Sequence, residues 1–98
     1  MAQAYSNTRK WYQSTLERED LKILVVEDEK ELLASIGEGL ELDGYYVDLV
    51  DNGTQALEMA QLEQYDLILL DLNLPGIDGL DLLRTLRSEH SETKVLIL

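Results

Sequence analysis

Apolar positions along the chain recur with two alternating periods. "LKILVV" (21–26) is a short, β-branched apolar run that ends on the acids "EDE", and it predicts a buried strand. "KELLASIGEGLELDG" (30–44) carries Leu33, Ile36 and Leu40 at helical spacing, with Gly44 placed to stop the helix. Gly37 and Gly39 inside it each weaken that helix by about 1 kcal/mol. "YYVDLV" (45–50) alternates like a strand with one wetter face, and "DNG" after it is a turn. "TQALEMAQLEQ" (54–64) carries a second helical stripe through Ala56, Leu57 and Ala60, extending to Leu62. "DLILL" (66–70) predicts a strand, and "NLPGIDG" (73–79) a loop with strong turn chemistry at Pro75-Gly76. "LDLLRTLRS" (80–88) predicts a third helix and "KVLIL" (94–98) a fourth strand.

Strand and helix therefore alternate throughout, which predicts an α/β fold: a doubly wound parallel sheet of right-handed βαβ units in the order β1-α1-β2-α2-β3-α3-β4. The runs 21–26 and 66–70 are almost purely apolar, as central strands covered on both faces require. The run 45–50, with Asp48 followed by Asp51, reads as an edge.

Charge changes the picture more than composition does. The 98 residues suffice for one small domain, and their 45% hydrophobic content is ordinary for a globular chain. Residues 1–20 hold Arg9, Lys10 and Arg18 against Glu17, Glu19 and Asp20, so the whole net charge of -12 resides on residues 21–98. That shift marks a boundary near Asp20, separating an N-terminal extension (1–20) from the folded unit (21–98). In the extension, Ser6 or Asn7 can cap a helix carrying Trp11, Tyr12 and Leu16; the other reading is a tail. The acidity argues against nucleic acid and anionic membrane as partners, since both need clustered bases. Cysteine is absent, which excludes disulfides and thiolate chemistry. With no signal-peptide core and no apolar run of spanning length, a cytoplasmic protein is expected.

The candidate chemistry lies at the strand ends. In a doubly wound sheet, ligands bind beyond the carboxyl ends of the strands, where strand order reverses. Strand 1 ends at Glu27-Asp28 and strand 3 at Asp71. If those strands are neighbours, three carboxylates gather in one crevice, and a hard divalent cation would relieve their repulsion. A carboxylate can also act as a nucleophile toward phosphorus. Each cluster has a local reading of its own. Glu27 to Glu29 can be first-turn acids of helix 1, and Asp71 can open the loop as an Asx turn.

"KILVVEDE" and "YDLILLDLNLPGIDGLDLLRTLR" resemble the receiver domain of two-component response regulators, most closely the OmpR/PhoB-type branch. The resemblance covers residues 21–98 and implies a flavodoxin/CheY-like sheet, incomplete because the chain stops after strand 4. It implies Asp71 as phosphoacceptor, served by a sensor histidine kinase or phosphotransfer protein. It implies Mg²⁺ held by Asp28, Asp71 and the backbone carbonyl of Asn73, with Glu27 acting through a metal-bound water. Pro75, Gly76 and Gly79 would shape the loop. The family's hydroxyl residue after strand 4 and lysine after strand 5 have no counterpart before Leu98, so phosphorylation is expected to be impaired. An exposed strand 4 edge is expected to drive self-association.

A second reading from another class is an assembly fragment whose acidic pocket is vestigial, and a hydrolase ranks last for want of a general base. Asp71, Asn73 and Gly76 imitate part of a calcium loop, but Pro75 and Leu82 occupy ligand positions. "GEG" at 37–39 lacks the context of a dinucleotide fingerprint. His90 is expected on the surface, and Arg84 and Arg87 at the basic end of helix 3. With no helix-turn-helix module, no direct nucleic-acid binding is expected.

Overall fold

The computed structural model describes residues 21–89 and 92–98. The expectations for the extension 1–20 and for His90 lie outside the described residues. The elements are β1 (Lys22–Val26), α1 (Lys30–Leu42), β2 (Tyr46–Val50), α2 (Gly53–Leu62), β3 (Leu67–Leu70), α3 (Gly79–Glu89) and β4 (Lys94–Ile97). All four strands run parallel in the order β2-β1-β3-β4. The strand order reverses between β1 and β3, so the crevice of the fold opens at their carboxyl ends.

Two clusters hold the layers together. On one face, Leu24 and Val26 of β1 and Ile68 and Leu70 of β3 pack with Ala56 and Ala60 of α2 and Leu82 and Leu86 of α3. Leu24, Leu70 and Leu82 are completely enclosed, and burial of each such side chain contributes about 2 kcal/mol. On the other face, Ile23, Val25 and Leu69 meet Leu33, Ile36 and Leu40 of α1. The apolar runs of β1 and β3 thus reflect coverage on both sides, and β2 is an edge as its acids suggest.

The helices start and stop for local reasons. Asn52 caps α2 by accepting the Gln55 N–H at 2.8 Å, and Asp78 accepts the Leu80 N–H at 2.8 Å to open α3. α1 ends at Leu42, followed by Gly44 at φ +97°, a left-handed position where glycine carries no Cβ penalty. Gly37, which costs helix propensity, is buried with Leu49 of β2 against it. Leu62 departs from expectation: it is 78% exposed. At 3.6 residues per turn it lies roughly 150° from the centre of the stripe formed by Gly53, Ala56 and Ala60. Arg84 also departs: rather than only answering the helix dipole, it pairs with Asp81 one turn earlier at 2.8 Å.

The amino ends of the strands are joined by polar pairs. The Lys22 ammonium pairs with Glu63, and the Lys22 N–H donates to Asp66 at 2.8 Å. The buried Tyr65 hydroxyl donates to Asp48 of β2 at 2.6 Å. Burial, then that bond, pushes the Tyr65 phenol above its ordinary value. Thr93, also buried, donates to the Tyr65 carbonyl at 3.1 Å. Among the described residues no helix is long and apolar enough to cross a membrane.

Candidate functional site

Parallel pairing sets the site. β1 and β3 are neighbours in register, with Val26 opposite Leu70, so the residues that follow them emerge side by side. The ladder continues past both ends: Glu27 N–H donates to the Val50 carbonyl at 3.1 Å and Asp71 N–H to the Val26 carbonyl at 3.0 Å. The carboxylate oxygens of Glu27, Asp28 and Asp71 consequently lie within 4.8 Å of one another. The crevice expected from the strand ends is therefore formed, with all three expected acids in it.

The three acids differ in setting. Glu27 is only 5% exposed, Asp71 is half-buried and Asp28 faces solvent. Burial is the main cause that raises the Glu27 carboxyl above the ordinary carboxylate range, helped by the Asp71 and Asp28 charges. The backbone N–H of Glu29, donating to Glu27 at 2.9 Å, opposes that rise. Glu29 itself makes no side-chain cap to α1. Asp71 accepts the Asn73 N–H at 3.0 Å, an Asx turn. Its local reading and its place in the pocket therefore hold together, since the turn fixes one oxygen and carries the chain around it.

The loop after β3 is held from below. Pro75 is exposed, and Gly76 adopts φ +93°, which gives the turn its reversal. Gly79 is buried against the backbone of Leu72, where a Cβ would come within 2.5 Å of the carbonyl oxygen. Close approach, rather than dihedral freedom, thus demands glycine there. Ile77 packs onto Gly53, locking this loop to the start of α2. Sequence reasoning missed that contact and the Asn52 cap; an Asn directly before a helical stripe was the available signal for the latter.

Three clustered carboxylates, one of them buried, form a hard-ligand set, and it fits a divalent cation of the Mg²⁺ kind. Charge on a bound metal would offset the mutual repulsion that adds to burial in raising Glu27. Asp71, reachable beside it, has the chemistry of a nucleophile toward phosphorus.

Comparison with known proteins follows the same lines. The family model for the response regulator receiver domain matches residues 23–98. The transcriptional regulatory protein CusR of Escherichia coli K12 is 42% identical over 78 residues, which cover 80% of this chain and 34% of CusR. The chain thus spans about a third of the length of such curated relatives. The response regulator TrrA of Thermotoga maritima, solved in complex with Mg²⁺-BeF, is 35% identical with a TM-score of 0.75, covering 79% of this chain and 67% of TrrA. TrrA was also solved in complex with the histidine kinase ThkA; there the TM-score is 0.74 at 35% identity, covering 79% of this chain and 66% of TrrA. With the doubly wound sheet and the carboxylate crevice already in place, these matches make the chain a member of the response regulator receiver family of two-component signalling, with OmpR/PhoB-type relatives.

Proposed function

We propose that this chain is a phospho-acceptor module in which Asp71 takes a phosphoryl group from a histidine kinase, a phosphotransfer protein or a small phosphodonor. The observation that carries the reading is the gathering of Glu27, Asp28 and Asp71 within 4.8 Å at the reversal of strand order. One Asp71 carboxylate oxygen forms the new bond to phosphorus. The bond from phosphorus to the donor atom breaks, and the electron pair leaves with the donor. The Asn73 N–H bond orients Asp71 by occupying Oδ1, which leaves Oδ2 for the attack.

Asp28, Asp71 and the Asn73 backbone carbonyl would hold Mg²⁺, with Glu27 acting through a water. When bound, the metal supplies positive charge that lets an anionic phosphoryl donor approach three carboxylates. Pro75, Gly76 and Gly79 shape the loop that presents Asp71, and TrrA's complexes with Mg²⁺-BeF and with a kinase are precedents for both partners.

The test is intact mass after incubation with a small phosphodonor, with Mg²⁺ or with chelator, beside Asp71→Asn. The expected result is one phosphoryl adduct that needs Mg²⁺ and is absent from the variant. No adduct on a chain whose far-ultraviolet dichroism is intact would overturn the reading.

A further inference from the structure

Behind the pocket, the Glu27 side and the Asp71 side are tied together by a second route. The Glu27 N–H donates to the Val50 carbonyl at 3.1 Å, and shortly after Val50 the chain enters α2 at Gly53. The turn between them is pinned by Asn52. Its Nδ2 donates to Asp51 at 3.0 Å, and its Oδ1 accepts the Gln55 N–H at 2.8 Å. From the other side, the loop that leaves Asp71 closes on the same turn. Ile77 sits so near Gly53 that a Cβ there would fall 1.9 Å from Ile77 Cγ2, far inside van der Waals contact. Beside it, Thr54 Oγ1 lies 3.7 Å from the place a Gly76 Cβ would take.

This seat is selective in both partners. Gly53 is buried at the start of α2 and has no left-handed φ to call for glycine. Glycine is a weak helix former, so α2 gives up propensity at this point and gains room for Ile77. Along the loop, Pro75, Gly76 and Asp78 are exposed, and between Leu74 and Gly79 only Ile77 is half-buried. One side chain therefore anchors the stretch that follows Asp71 and Asn73. A displacement of about 1 Å at a reacting centre costs on the order of a hundredfold in rate, so an anchor so near the pocket bears on its chemistry.

We propose, resting on the phospho-acceptor reading of Asp71, that Ile77 seated on Gly53 is a positioning residue. It fixes the loop carrying Asp71 and the Asn73 carbonyl relative to Glu27, by way of the first turn of α2. That turn touches no reactant, yet it sets the dimensions of the pocket.

The test is a double-mutant cycle on Gly53→Ala and Ile77→Ala, with three readouts on the folded protein. These are the rate of adduct formation with a small phosphodonor and Mg²⁺, the affinity for Mg²⁺ by calorimetry, and hydrogen exchange at the Asn73 amide, which donates to Asp71 at 3.0 Å. Gly53→Ala is expected to slow adduct formation by about tenfold, to weaken Mg²⁺ binding and to speed exchange at Asn73. Ile77→Ala should move all three in the same direction, and Ile77→Val, which keeps the branched Cβ, should restore them. On the Ile77→Ala background, where the added methyl finds room, Gly53→Ala should cost nothing further. Variants that lower the urea midpoint while leaving all three readouts at wild-type levels would reduce Ile77 to core packing and overturn the proposal. Equal losses from Gly53→Ala on both backgrounds would overturn it as well, because the effect would not run through the contact. A wild type that forms no adduct would defeat the reading of Asp71, and exchange at Asn73 then decides the seat by itself. Exchange that Gly53→Ala speeds only when Ile77 is present supports the seat; exchange that neither substitution moves overturns it.

Discussion

The two ends of the sheet treat acidic side chains in opposite ways. Towards the amino ends of the strands, Glu63 has the Lys22 ammonium and Asp66 the Lys22 N–H, and Tyr65, just before β3, donates to Asp48 midway along β2. At the carboxyl ends, Glu27, Asp28 and Asp71 face one another, and the donors found for Glu27 and Asp71 are backbone N–H groups of their own loops. Acids at the first end join elements that are distant in sequence. Acids at the second end are held together against their repulsion by backbone geometry, so that this end concentrates charge whereas the other ties the fold together.

The comparison is broken most severely through Gly79. A Cβ there meets the Leu72 backbone, which cannot swing aside as a side chain end can. Gly79→Ala should therefore destabilise the domain by about 3 kcal/mol, measured by urea unfolding. It should also reduce phosphoryl acceptance beyond the loss of folded protein, because the Asp71 loop is displaced.

Tyr65→Phe tests the opposite end. It removes the bond to Asp48 and leaves that half-buried carboxylate without the hydroxyl, a cost of about 1.5 kcal/mol. Its thermal midpoint should fall while the yield of phosphoryl adduct per folded molecule stays at the wild-type level. A loss of adduct in this variant would show that the two ends are coupled rather than separately organised.

The smallest effect sharpens the contrast through pH. Burial and the neighbouring acids hold the Glu27 carboxyl above its ordinary value of 4.5. Because the folded state retains that proton more tightly, the contribution to stability is full below 4.5 and is lost as pH rises through the raised value. Glu27→Gln keeps the shape, including an oxygen to accept the Glu29 N–H, and should flatten this part of the stability profile. Mg²⁺ should flatten it in the wild type as well. Unfolding midpoints collected across the acid range, with and without metal, make the comparison.

Much of this was legible because a parallel sheet writes its organisation into runs of residues. β1 and β3 are apolar along their length since both faces are covered, and the acids that end those runs mark the crevice. Strand and helix boundaries fell within two residues of the pattern for the same reason. What stayed hidden depends on contacts between distant positions. Nothing local marks Tyr65 as the partner of Asp48, or Ile77 as the residue that closes on Gly53. Gly37 looked like a weakness of α1 because its contact, Leu49, belongs to another element. Leu62 looked buried because it is apolar, although its angle on the helix turns it to solvent.

The pairing of β1 with β3 also bears on timing. Glu27 and Asp71 are far apart in the chain and meet only through a crossover that carries α1, β2 and α2 between them. Such nonlocal pairing forms late, after the loop-closure entropy has been overcome. A chain still emerging from the ribosome has no acidic pocket until β3 has docked beside β1, so the three acids come together with the native topology and not before it.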